Sequence, residues 1–150
     1  MGGQVTPAPP FLAYLDANAI IQFIEVDGTP FASLMRHVEA GALYLFTSEL
    51  TLAEVLVKPL RDELVALIEL YERLLTGSEK LAVLPVTRAV LRSSAEVRAN
   101  AGNKGPDAIH IATALSASCN LFISSDARLR LPSSMTRLDI DAAAVWSPHT

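Results

Sequence analysis

The run Phe11-Leu12-Ala13-Tyr14-Leu15-Asp16-Ala17-Asn18-Ala19-Ile20-Ile21 decides how the rest of the chain is read. Five apolar residues stop at a carboxylate, and the apolar residues beyond it recur at helical spacing, so the order is buried strand, acid, helix. Short apolar strands that alternate with helices build a parallel sheet covered on both faces. In such a sheet, ligands gather outside the carboxyl ends of the strands. Asp16 is placed at one such end.

Working outward, the first helix is expected over 17–24. A second, over 30–40, has Pro30 in its first turn and Gly41 just past its end. A strand follows at 43–46. Thr47 or Ser48 caps a helix to about Val57, which Lys58-Pro59 is expected to close. Segment 61–75 is the most periodic: Leu64, Leu67, Ile68, Tyr71, Leu74 and Leu75 form an apolar stripe, with Arg61, Asp62, Glu69, Glu72 and Arg73 off it. Gly77 stops it. Next come a strand at 81–84 and a helix from the Thr87 cap to about Asn100. The loop 102–106 leads to a helix expected to open at Asp107 and run to about Ser118. That helix is apolar nearly all round and belongs in the core. Leu121–Ile123 is a fourth strand and 136–140 a candidate fifth. There is no internal repeat. Residues 1–10, rich in Gly and Pro, are expected to be a flexible tail, with one domain over 11–150.

The chain has 150 residues, 51% hydrophobic and 19% charged, with a mean hydropathy of +0.34. This composition excludes intrinsic disorder for most of its length. Asp16, Asn18, Gln22 and Glu25 interrupt the best early apolar stretch, so no membrane span is expected. No Lys or Arg precedes Arg36, so an apolar leader would have no basic start. The single cysteine, Cys119, cannot form an intrachain bridge, and a reducing, cytoplasmic setting is expected. The net charge of −4 speaks against a polyanionic partner. Its distribution does not. Residues 1–87 hold 5 basic and 11 acidic side chains, whereas 88–150 hold 7 and 5.

Most acids sit on wet helix faces. Four are flanked by core instead: Asp16 after the first strand, Asp126 after the strand Leu121–Ile123, Glu54 within an apolar helix, and Asp107 at the start of the most buried helix. Each has an ordinary reading alone: Asp107 as a helix cap, Asp16 and Asp126 as turn residues, Glu54 as an exposed helix position. Together they would converge if the first and fourth strands are neighbours. Close carboxylates repel by about 1 to 4 kcal/mol per pair, and a divalent cation reverses that sign. Oxygen ligands without His or Cys favour Mg²⁺ or Mn²⁺.

In order and spacing, four segments resemble the PIN-domain nucleases, and among them the short VapC-type toxins of toxin-antitoxin pairs. They are Tyr14-Leu15-Asp16-Ala17-Asn18-Ala19-Ile20-Ile21, Thr47-Ser48-Glu49-Leu50-Thr51-Leu52-Ala53-Glu54-Val55, Pro106-Asp107-Ala108-Ile109-His110-Ile111-Ala112-Thr113-Ala114 and Leu121-Phe122-Ile123-Ser124-Ser125-Asp126. The resemblance implies a three-layer α/β fold with a central, mostly parallel sheet of four or five strands flanked by helices. It implies a metal-dependent endoribonuclease whose Asp16, Glu54, Asp107 and Asp126 surround Mg²⁺ or Mn²⁺. In this reading Ser124 orients a ligand or water and Asn18 braces the first acid. Lys104 and Arg128 hold flanking RNA phosphates. His110, on a buried helix, is read as a packed, hydrogen-bonded core residue. Where relatives carry an aromatic residue after the last acid, this chain has Ala127-Arg128-Leu129-Arg130-Leu131.

A stand-alone PIN nuclease of RNA processing and a non-catalytic PIN-fold binding module are the alternatives. An acidic phosphate-receiver domain fits poorly, because Asp16 is followed by Ala17 and Asn18 rather than by a second acid. The stripe on 61–75, with Leu70 added, exceeds what one small core needs. A homodimer and a cognate antitoxin protein are therefore the expected partners beside RNA.

Overall fold

The structure, a computed structural model, describes residues 8–149. Most of the expected tail, residues 1–7, lies outside the described residues. The chain alternates as expected: β1 (Phe11–Leu15), α1 (Ala17–Ile21) continued by one π-helical turn over Gln22–Val26, α2 (Thr29–Glu39), β2 (Leu43–Ser48), α3 (Glu49–Val55), α4 (Val57–Arg61), α5 (Val65–Leu74), β3 (Ala82–Leu84), α6 (Arg88–Ala101), α7 (Gly105–Ser116), β4 (Leu121–Ile123), β5 (Thr136–Leu138) and α8 (Ile140–Ala144). No helix among the described residues is long and apolar enough to cross a membrane.

The five strands form one sheet in the order β3-β2-β1-β4-β5, and every pairing is parallel. Tyr14 of β1 stands between Phe46 of β2 and Phe122 of β4. The chain leaves β1 toward β2 and later leaves β4 toward β5, in opposite directions along the sheet. The β1/β4 boundary is thus the topological switch point, where a crevice opens beyond the strand ends.

Alternation along β1 divides the core. Ala13 and Leu15 join the larger cluster with Ile20, Phe23, Leu34, Tyr71 and Leu75, beneath α1, α2 and α5. Tyr14 turns to the other face, where Ile111, Ala114, Cys119, Phe122 and Met135 form a smaller cluster beneath α7. Leu129 and Leu131 pack against this second cluster.

The main differences from the sequence reading each have a local reason. Pro59 does not end helical structure but lies in the first turn of α4, where its missing N–H needs no partner. The periodic helix begins at Val65 rather than 61, because Glu63 adopts a left-handed φ of 53° and breaks the chain direction. The helix α7 opens at Gly105, so Asp107 is a first-turn residue and not the cap. Pro106 lies in the first turn, where a missing N–H leaves no intrahelical bond unmade, and the carboxylate of Asp107 suits the positive end of the helix. The short α8 was not expected; Asp139 caps it by accepting from the Ile140 N–H.

Candidate active site

The carboxyl end of β1 hands the chain to α1 through Asp16. Its carboxylate caps the helix, accepting from the Ala19 N–H at 2.8 Å, and it is 9% exposed. The Asp16 N–H reaches the Ile123 carbonyl of the neighbouring strand, so the end of β4 lies alongside. There Ser124 is fully buried. Its oxygen accepts from the Asp126 N–H at 3.1 Å, and its hydroxyl bonds to the Asp16 carboxylate. One side chain therefore ties two of the four acids. Asn18 is exposed, and its amide donates to the Ser125 hydroxyl. It pins α1 to the loop that carries Asp126, while the direct braces on Asp16 come from Ser124 and Ala19.

Glu54 comes to the rim from α3, whose start is fixed by the Ser48 cap. Thr47, just before it, donates its hydroxyl to the Leu15 carbonyl at 2.8 Å and bonds to Thr51. These contacts clamp α3 to the end of β1. The Glu54 carboxylate meets His110 Nε2 at 2.5 Å, and His110 Nδ1 meets the Tyr14 hydroxyl at 2.5 Å. His110 is buried and hydrogen-bonded, as its place on a core helix implied. Missed from sequence was the identity of its partner, an acid of the proposed site. The available signal was spacing: His110 follows Asp107 by three residues, so both fall on one face of α7.

Asp107 lies between the other acids electrostatically. Burial pushes its carboxyl pKa up, the charges of Asp126 and Glu54 add to that, and His110 and Lys104 oppose it. Asp16 is also shifted up, first by burial and to a lesser degree by Asp107, against the hydrogen bonds of Ser124 and Ala19. Asp126 is held below the ordinary carboxylate range by the backbone and side chain of Arg128. The Arg128 N–H donates at 2.9 Å and its guanidinium at 3.2 Å. Asp107 and Asp126 share a pocket of about 190 Å³ with Lys104, Arg128 and Arg130. Asn103 holds the far wall, donating to the Arg130 carbonyl and accepting from its N–H. A roomier groove between β3, α6 and α7, lined by Phe46, Leu84, Val90 and Leu115, carries no titratable side chain.

The four acids thus arrive from four different elements at one rim. Their oxygens are hard donors of the kind that suits Mg²⁺ or Mn²⁺. Burial is the first cause of the two raised pKa values, and the repulsion that adds to it is what a divalent cation relieves. Among the described residues, no group of three or more His, Cys, Asp or Glu side chains closes on one point tightly enough to hold a metal as it stands. The fit is therefore one of donor chemistry and charge rather than of a finished cage.

Comparison with known proteins agrees with this architecture. The family profile described as PIN domain matches residues 13–133. Comparison with curated proteins gave no significant match. Among solved structures, the chain is similar to one in a toxin-antitoxin complex from Klebsiella pneumoniae, with 22% identity, TM-score 0.57, and coverage of 76% of this chain and 86% of the other. It is also similar to one in VapBC2 from Rickettsia felis bound to a DNA fragment from their promoter, with 9% identity, TM-score 0.67, and coverage of 86% and 98%. A third is PAE2754 from Pyrobaculum aerophilum, with 19% identity, TM-score 0.62, and coverage of 91% and 96%. At these identities the likeness is one of fold.

Proposed function

The chain belongs to the PIN-domain family, and from that premise we propose that it is a metal-dependent endoribonuclease, the toxin of a type II toxin-antitoxin pair. The observation that carries the proposal is the convergence of Asp16, Glu54, Asp107 and Asp126 at the β1/β4 switch point, with Asp107 feeling the charges of both Glu54 and Asp126. Asp16 and Asp107 are the principal candidates to hold Mg²⁺ or Mn²⁺, with Glu54 and Asp126 beside them. The bound ion would polarise the scissile phosphate and lower the pKa of a water.

The chain's own residues do the rest. Asp16 is braced by the Ala19 N–H and by Ser124. Lys104 and Arg128 flank the pocket with positive charge and suit backbone phosphates, which position RNA without reading its sequence. Water as nucleophile leaves the 2′-hydroxyl unused, so the products carry 5′-phosphate and 3′-hydroxyl ends. The test is cleavage of total RNA by the wild type and Asp16→Asn, with Mg²⁺ or Mn²⁺ and with chelator, followed by end mapping. Equal cleavage by both proteins, or 2′,3′-cyclic phosphate ends, overturns the reading.

For the partner, the apolar stripe supplies the support. Tyr71 and Leu75 are buried, but Val65 and Leu70 on α5, Leu64 just before it, and Val57 and Leu60 on α4 remain exposed. Exposed apolar side chains grouped over residues 57–70 suit a protein partner, and two of the similar folds come from toxin-antitoxin complexes. A cognate antitoxin and a second copy of the chain are the proposed occupants, in a cytoplasmic setting. Size-exclusion chromatography of the chain alone and with its genomic neighbour separates the two.

A further inference from the structure

His110 is a buried polar group behind the acidic rim, with its side chain 3% exposed and both ring nitrogens bonded. Packing alone does not require this. An apolar side chain would fill the space in α7 without the cost of desolvating an imidazole. The chemistry of the partners implies a direction: the Glu54 carboxylate is an acceptor at Nε2, and the Tyr14 hydroxyl is a donor within reach of Nδ1. A neutral imidazole that accepts at Nδ1 donates at Nε2, and an ionised carboxylate can only accept. The contacts run Tyr14, His110, Glu54, from the core to the rim.

We propose that His110 is a positioning residue: held in the Nε2–H tautomer by the Tyr14 hydroxyl, it donates to one oxygen of Glu54 and fixes that acid at the rim with its other oxygen free. This rests on the reading of Glu54 as a site acid. A hydrogen bond of this kind does for a carboxylate what outer hydrogen-bond partners do for metal ligands generally, setting orientation and affinity. It also couples two acids through one helix turn, since α7 carries Asp107 itself and holds Glu54 through His110.

The tautomer is read without any substitution, by ¹⁵N NMR of the metal-free wild type: Nε2 is expected in the protonated range and Nδ1 in the bare range. The reverse assignment, or two protonated nitrogens, overturns the proposal. Function is read by Mn²⁺ titration calorimetry and by RNA cleavage for His110→Gln, His110→Asn, Tyr14→Phe and Glu54→Gln. The Gln amide nitrogen reaches the place of Nε2, whereas Asn is too short. His110→Asn is therefore expected to lose about 10–100-fold in Mn²⁺ affinity, with KM for RNA unchanged, and His110→Gln to recover most of it. A merely structural role lowers the melting temperature of both variants without separating their metal affinities, and that result overturns the proposal. If His110→Asn does not fold, Tyr14→Phe carries the test: it keeps the ring and is expected to weaken Mn²⁺ binding in the same direction by a smaller factor. Wild-type binding by folded Tyr14→Phe counts against the proposal. Glu54→Gln distinguishes the two levels. If it is inactive while His110→Asn binds Mn²⁺ and cleaves normally, only the role of His110 falls. If Glu54→Gln itself binds and cleaves like the wild type, the underlying reading of the site falls with it.

Discussion

The two ends of the acidic rim are built on different principles. At the inner end, Asp16 and Glu54 are held by groups that belong to the core: Ser124, Thr47, His110 and Tyr14 are all buried. At the outer end, Asp107 and Asp126 face a pocket walled by Lys104, Arg128 and Arg130, and the Arg128 side chain is 84% exposed. The inner end gains its order from packing and buried hydrogen bonds, which respond little to salt. The outer end gains it from loop contacts and screened charge. In the proposed function, this core-braced end is the part that would hold the cation. A wet, basic wall is suited to a long polyanion that must arrive and leave.

The sharpest way to break this division is Asp107→Asn, because Asp107 feels both ends. If it holds a Lewis-acidic ion worth several kcal/mol to the transition state, cleavage falls by about 100-fold or more at 1.36 kcal/mol per decade. Stability moves the other way. The folded protein resists ionising Asp107 because burial and the neighbouring acids raise its pKa. Unfolded chains bind fewer protons than the native state once pH exceeds the ordinary carboxylate value, so native stability falls as pH climbs toward the raised one. Metal-free Asp107→Asn is therefore expected to melt above the wild type at pH 7, with the gap closing near pH 3. Loss of activity together with a lower melting temperature at pH 7 contradicts the electrostatic account.

A second comparison isolates the inner end. Asp16→Ala and Asp16→Asn both remove the charge, but only Asn keeps an oxygen for the Ala19 N–H. The Ala variant is expected to be less stable than the Asn variant by about 1 kcal/mol, a melting difference of about 2–4 °C for a chain of this size. Both are expected to lose cleavage. Equal melting temperatures indicate that the cap contributes nothing and that Asp16 is held by Ser124 alone.

The inner end was the more legible in sequence, and its reasons are local. A strand that stops at an acid before a helical pattern puts Asp16 at a strand end whatever the neighbours do. The same holds for the run Leu121-Phe122-Ile123 and the hydroxyl of Ser124 beyond it. Strand order was not local, and the neighbourhood of β1 and β4 rested on the resemblance. Helix starts near Pro and Gly were misjudged by a few residues. At Pro59 and Pro106 the sequence shows a residue able either to stop a helix or to sit in its first turn, and tertiary packing chooses. The link from His110 to Glu54 spans 56 residues, so no local pattern contains it. Only the i, i+3 relation to Asp107 hinted at it. The partner of Asn18 was hidden for the same reason: its amide reaches a hydroxyl 107 residues away.

The smallest expected effect on the fold comes from Arg128→Ala at the outer end. Its ion pair with Asp126 is exposed, and surface changes of this kind stay within about 0.5 kcal/mol, so the melting temperature is expected to be unchanged. Removing the guanidinium takes away one of the bonds that hold the Asp126 pKa down, while the backbone N–H of residue 128 still donates to that carboxylate. RNA binding, in contrast, should weaken by a similar factor for every sequence tried, because a phosphate contact carries no base information. The slope of log K against log salt should become shallower by about 1. Lys104→Ala should behave alike, with the two losses adding. A change in sequence preference without a change in slope would place Arg128 against bases instead. A large fall in melting temperature would mean that the outer wall, like the inner one, is part of the core's own architecture.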